Sequence, residues 1–245
     1  MLQFLIPSAK EMVEEKPKNT AKLRSDKTTT IVKEMVQKDI PELLRLYHFK
    51  KEEAALKEQR RWKDIYSGNS SSYKAIELYN GLMYRSLKTN LSSNALEYLT
   101  QTTYITTALY GIIPINDTIH PHRLDFNTST LINNQSLKQF WKEEYDNFLK
   151  SNEQEAMISL LSSEFENIFS PEQRQQLIKI KFYEQTSSGK LKQHSTISKK
   201  GRGYFLHAVA ENECQTIDDL KKLTFEGYHF EESELKNELI FIRSI

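Results

Sequence analysis

MLQFLIPSAK, Met1 to Lys10, carries the first decision about the fold. Leu2 to Pro7 is short, apolar and ended by a proline, which reads as a buried strand. The turn that follows leaves Ser8 and Lys10 at the strand end. A later stretch, STISKKGRGYFLHAV (Ser195–Val209), raises the functional question, because Lys199, Lys200 and Arg202 interleave with Gly201 and Gly203 before an apolar run.

Between these two points the periodicity changes repeatedly. Lys16 to Lys27 is polar and reads as a loop or extended arm. Thr30 to Gln37 places Ile31, Val32, Met35 and Val36 at helical spacing. Asp39 and Glu42 have capping-box spacing, and a charge-alternating helix follows from Lys50. Ser67 to Ser72 is a loop, Ala75 to Tyr79 a candidate strand, and Ser92 or Ser93 a cap for a helix through Leu99. The stretch TTYITTALYG reads as a strand. In Gln135 to Asn152, Leu137, Phe140, Trp141, Tyr145, Phe148 and Leu149 make one wide apolar helix face.

Met157 to Leu161 is a further strand, with a short helix from Ser162 or Ser163. IKIKFYEQTSSGKLKQHSTI reads as a hairpin turning at Ser187–Lys190. Thr216 and Asp219 have capping-box spacing. FEGYHFEESELKNELIFIR reads as a second hairpin, with Leu239, Phe241 and Ile245 on one face. Strands and helices mix without a strict βαβ rhythm, and no linker divides the 245 residues. The expected fold class is therefore α+β: one compact domain, residues 1–245, of mixed sheet and packed helices.

Composition narrows the function classes. A net charge of +1 argues against a globally basic nucleic-acid protein and a polybasic membrane binder, but permits a local patch. Gln185 to Ala210 contains no Asp or Glu, yet holds Lys190, Lys192, Lys199, Lys200 and Arg202. Cys214 is the only cysteine, so no internal disulfide forms, and it reads as a small core residue. With neither a signal peptide pattern nor a membrane-length apolar run, the expected location is cytoplasmic.

If Ser198 caps a helix, Lys199, Lys200 and Arg202 occupy its first turn, where the helix dipole favours anions. Gly201 and Gly203 each cost about 1 kcal/mol in a helix relative to Ala. A bound phosphate would resolve both conflicts; a solvated turn is the plainer alternative. In LYGIIPINDTIHPHRLDF (Leu109–Phe126), Arg123 can pair with Asp117 or Asp125 and fix the connector. His120, His122 and Asp125 form a weak metal pattern without a supporting cluster, so no metal and no cofactor is expected. Glu164 is either a general base or a first-turn acid favouring the helix dipole. No GxSxG, HExxH or GxGxxG motif occurs in a fitting context.

Several stretches taken together resemble the YaaA peroxide-stress protein family nearly end to end. They are LIPSAK, NGLMYRSL, LYGIIPINDTIHPHRLDF, QFW, SLLSSEF, KKGRG and FEGYHF…ELIFIR, in that order. The resemblance implies an α+β domain with a basic cleft. It further implies a cytoplasmic protein of the peroxide response that limits iron-dependent damage and binds double-stranded or distorted DNA. It carries over Lys10, Arg123, Lys199, Lys200 and Arg202 as DNA- or anion-binding residues, and Ser162 and Glu164 as polar residues of a strand-helix turn; Ser8 and Asp117 are further candidate polar cleft residues. A helix-hairpin-helix element attributed to the family would fall at Pro41 to Ile65, where the connection FKKEE lacks the Gly-apolar-Gly hairpin that presents amides to a phosphate. Two departures are visible: Pro114-Ile115-Asn116-Asp117 lacks an expected arginine, and Gly81-Leu82-Met83-Tyr84 lacks an expected acid. The leading reading is a non-catalytic DNA-binding stress protein. Its rival is an enzyme acting on a phosphorylated or nucleic-acid substrate in the same cleft.

Overall fold

The computed structural model describes residues 1–17 and 25–244. Part of the polar arm expected at Lys16–Lys27, and the expected position of Ile245 on a strand face, lie outside the described residues. The first strand, β1 (Leu2–Pro7), has five consecutive buried residues and is therefore covered on both faces. Three helices follow: α1 (Asp26–Val36), α2 (Ile40–Tyr47) and α3 (Glu52–Ser67). Asp39 and Glu42 form the capping box of α2, and His48 ends it in the left-handed conformation. The Pro41–Ile65 region is thus a helix pair joined by a short turn.

Next come β2 (Tyr73–Lys74), α4 (Ala75–Leu78), α5 (Leu82–Lys88) and α6 (Ser93–Thr102). The strand expected at Ala75–Tyr79 is instead the single turn α4. Its neighbour β2 takes the pairing, with β5 (Thr118–Ile119), leaving Ala75 to donate to the Asp117 carbonyl. Strand β3 (Thr103–Thr107) pairs antiparallel with β4 (Gly111–Pro114). After the small hairpin β6 (Leu131–Ile132) and β7 (Gln135–Ser136), α7 (Leu137–Ser151) presents the apolar face read from the sequence. Trp141 Nε1 donates to the Ala108 carbonyl and Tyr145 Oη to the Thr107 carbonyl, which fixes α7 to the end of β3.

The remaining elements are β8 (Ala156–Ser159), α8 (Ser163–Glu166), α9 (Pro171–Arg174), β9 (Ile178–Gln185), β10 (Leu191–Lys192), α10 (Ser195–Glu211), α11 (Ile217–Lys222), β11 (His229–Glu231) and β12 (Glu238–Ser244). The main sheet runs β11-β12-β9-β8-β1-β3-β4, with β10 paired to β9. Its inner five strands, β12 to β3, are parallel. Antiparallel β11, β10 and β4 border them. The fold is a mixed α/β single domain, in agreement with the expected class. Among the described residues, no helix is long and apolar enough to cross a membrane.

Candidate anion cleft

Parallel strands aim all their carboxyl ends at one edge of the sheet, so residues following different strands meet there. From β1 the next strand in the sheet is β3 on one side; from β8 it is β9 on the other. The chain therefore diverges between adjacent β1 and β8, the position where open parallel sheets form a ligand crevice. Ser8 and Lys10 follow β1, and Ser162 and Glu164 follow β8. All four line one hollow of about 320 Å³, together with Asp125, Lys199 and Arg202. A larger hollow of about 470 Å³ lies beside α1 and α2, but its Lys38 is already paired with Glu34 and Glu42.

Helix α10 supplies the cations by a route that differs from the expected one. It starts at Ser195, after an N-cap His194 whose side chain makes no capping bond, and not at Ser198. Lys199, Lys200 and Arg202 therefore sit beyond the first turn, and their supposed conflict with the helix dipole disappears. The glycines have a packing role. A Cβ on Gly201 would lie 2.8 Å from Phe182 Cβ on β9, and one on Gly203 would overlap the Met83 carbonyl oxygen and come within 2.6 Å of Ser86 Cβ on α5. Bare backbone at these two positions lets α10 press against β9 and α5 together. Arg202, between them, enters the space where those two elements meet the strand ends.

The electrostatics of the hollow are uneven. Lys10 Nζ pairs with Asp125 at 2.9 Å, and Arg85 Nη1 with Glu11 at 2.6 Å. Lys199 and Arg202 have no ion pair among the described residues. Arg202 Nε is sealed from solvent and has no hydrogen-bond partner. Burial pushes its guanidinium down to about 10, against weak support from Glu166. Glu164 shifts the other way: burial raises its carboxyl, with Asp125 adding repulsion and Lys10 opposing, and its Oε1 also lacks a partner. A half-buried cation without an ion pair thus shares the hollow with a carboxyl that resists ionisation. That combination can accept an anion and donate or take a proton.

Not every candidate converges here. The Arg123 guanidinium stacks over Phe49, 4.8 Å from the ring centre, and over Tyr47 at 5.9 Å. Asp125, one of the carboxylates offered to Arg123, is held by Lys10 instead. Neither Arg123, Asp117 nor Lys200 lines the hollow. Asp117 is buried, whereas Lys200 is exposed. His120 and His122 are buried, and each points Nδ1 at a backbone carbonyl, of Ser71 and of His120 respectively. Among the described residues, no three His, Cys, Asp or Glu side chains cluster as metal ligands. Cys214 is buried, as expected, and burial raises its thiol to about 11.

Sequence reasoning missed other lining residues. Leu82 and Met83, at the segment where the resemblance expects an acid, form part of the wall. Tyr84 Oη donates to the Pro7 carbonyl at 2.9 Å and ties α5 to the end of β1. Lys179 and Lys181 line an adjoining hollow that shares Ser162, Lys199 and Arg202 with the first. Their signal was the two-residue period of IKIKFY, which puts both lysines on one face of β9.

Comparison with known proteins matches nearly the whole chain. The family model described as "Peroxide stress protein YaaA" matches residues 2–234. The UPF0246 protein str1967 of Streptococcus thermophilus is 45% identical over 247 residues, covering 100% of this chain and 99% of the relative. The UPF0246 protein SpyM51747 of Streptococcus pyogenes serotype M5 is 48% identical over 231 residues, covering 94% and 93%. The family match over nearly the whole chain, with relatives of the same length, settles the affiliation: the chain belongs to the YaaA peroxide stress protein family.

Proposed function

We propose that this chain serves the peroxide-stress role of its family by binding DNA through the cleft at the ends of β1 and β8, so limiting iron-dependent damage to that DNA. The observation that carries the proposal is Arg202: a half-buried side chain with no ion pair among the described residues, its Nε sealed and unpartnered, at the meeting point of two hollows. A buried charge without a partner is costly, and a bound phosphate would supply the missing counter-charge. Once internal pairs are set aside, Lys199 and Arg202 remain uncompensated. Lys10 is 58% exposed on the side-chain scale, so its pair with Asp125 is weak enough to re-form with a phosphate. Contacts of this kind give affinity without reading sequence. The test is duplex binding by fluorescence anisotropy across a salt series. The proposal expects affinity that falls steeply between about 50 and 200 mM salt. No binding at the lowest salt would overturn it. For the iron-linked part, cells lacking the protein should accumulate more peroxide-induced DNA damage, and an iron chelator should erase the difference.

A second reading is favoured by Glu164, which lines the same hollow and whose sealed Oε1 has no partner. With its carboxyl raised, it suits general acid–base work on a phosphorylated or nucleic-acid substrate held by Lys199 and Arg202. Turnover of nucleic acids or nucleotides, with or without divalent metal, that Glu164→Gln abolishes would establish this reading over the first.

A further inference from the structure

The adjoining hollow, about 300 Å³, lies where β9 continues past the end of β8. Its walls carry Lys179, Lys181, Lys199 and Arg202 against one carboxylate, Glu166. That carboxylate is already engaged: Lys179 Nζ pairs with it at 3.1 Å, and Ser159 Oγ donates to it at 2.7 Å. Lys181 has no ion pair among the described residues. The hollow also receives the start of α10, with Ser195 and Ser198 on its wall. No side chain caps that helix, and a helix start of this kind favours an anion. Arg202, half-buried and with its Nε sealed and unpartnered, borders the same space.

We infer that this second hollow is a subsite for a terminal phosphate, a phosphomonoester, next to the cleft that holds the rest of the ligand. The charge count decides the class. A phosphodiester carries a single negative charge, whereas a monoester carries about −1.5 to −2 near neutral pH. Lys181, Lys199, Arg202 and an uncapped helix start exceed what one diester needs and suit a dianion. The two hollows share Ser162, Lys199 and Arg202, so one ligand can cross from the first into the second. A nucleic-acid strand would then bind by its phosphorylated end. This deepens the DNA reading above and rests on it for the identity of the chain bearing the phosphate.

The test uses the full-length protein and oligonucleotide duplexes of one sequence, bearing phosphate or hydroxyl at either end, titrated at one ionic strength. The inference expects a phosphorylated end to bind about tenfold tighter or more, as charge-assisted hydrogen bonds allow. Lys181→Ala should collapse that advantage to a small factor, with Lys181→Gln as the alternative should the first variant fold poorly. Equal affinity for both ends, or an advantage that neither variant reduces, overturns the subsite while leaving the DNA reading standing. In a parallel arm, inorganic phosphate and nucleoside monophosphates are tested for a rise in melting temperature. Stabilisation by these without duplex binding retires the DNA reading and assigns the subsite to a small phosphorylated molecule. Stabilisation that persists fully in Lys181→Ala places the phosphate elsewhere and overturns the subsite.

Discussion

Arg202→Met should make the free protein more stable and the cleft unable to hold an anion. Burial lowers the Arg202 guanidinium from 12.5 to about 10. At 1.36 kcal/mol per pKa unit, the folded state bears roughly 3 kcal/mol for keeping that charge without a counter-ion. Methionine preserves much of the unbranched stem and removes the charge, a replacement that is often stabilising for buried ions. Part of the gain is offset by lost packing of the guanidinium plane, so the expected net gain is about 1–3 kcal/mol. For a chain of this size each kcal/mol corresponds to about 2–4 °C in melting temperature. Urea unfolding at neutral pH gives the free-energy change, and anisotropy of a labelled duplex gives the binding change on the same sample. A variant less stable than the parent would refute the reasoning, because it would mean that Arg202 is already satisfied within the fold. Retained duplex affinity would refute the assignment of the anion to this side chain.

Three further outcomes follow from the same geometry. Gly203→Ala should destabilise by about 1–3 kcal/mol through overpacking against α5, despite the better helix propensity of alanine, and should weaken duplex binding by displacing Arg202; urea unfolding and anisotropy check both. The Glu164 carboxyl is raised in the fold above its ordinary 4.5, so its destabilising cost is absent below pH 4.5 and complete once pH exceeds the folded value; Glu164→Gln should therefore stabilise at pH 7, with the gain fading toward pH 4.5. Burial depresses His122 from 6.5 to about 4, so its contribution is present above pH 6.5 and is lost as pH falls toward 4. Unfolding at pH 7 and pH 5 should show a loss of about 2 kcal/mol from this group, absent in His122→Gln.

The parts legible in the sequence were those decided within a few residues. Leu2–Pro7 announced a buried strand by its unbroken apolar run, and α7 announced itself by spacing. The capping boxes at Asp39/Glu42 and Thr216/Asp219 formed as read, because a cap is a local hydrogen-bond arrangement. Ala75–Tyr79 misled because five residues of mixed apolar character fit either a strand or a helical turn. The start of α10 misled because Ser198 looked like the better cap, while the helix begins at Ser195 without one. Gly201 and Gly203 stand out in the sequence as costly helix residues, but no local pattern gives their packing partners. What they relieve is contact with Phe182 and with α5, which lie far away in the sequence. Convergence of Ser8, Lys10, Ser162, Glu164, Lys199 and Arg202 depended on β1 and β8 being parallel neighbours, a fact of sheet order that no local pattern contains. Arg123 lies instead over the rings of Phe49 and Tyr47, and Lys200 lies outside the cleft.

That division among the basic residues gives the most direct measurement. Duplex affinity is determined across a salt series for the parent protein, for Lys199→Ala/Arg202→Ala and for Lys200→Ala. With the cleft as the phosphate site, the double variant flattens the slope of log K against log salt by about 0.9 for each lost contact, roughly 1.8 in all, while Lys200→Ala changes it far less. An unchanged slope in the double variant, or an equal loss from Lys200→Ala, would contradict the account.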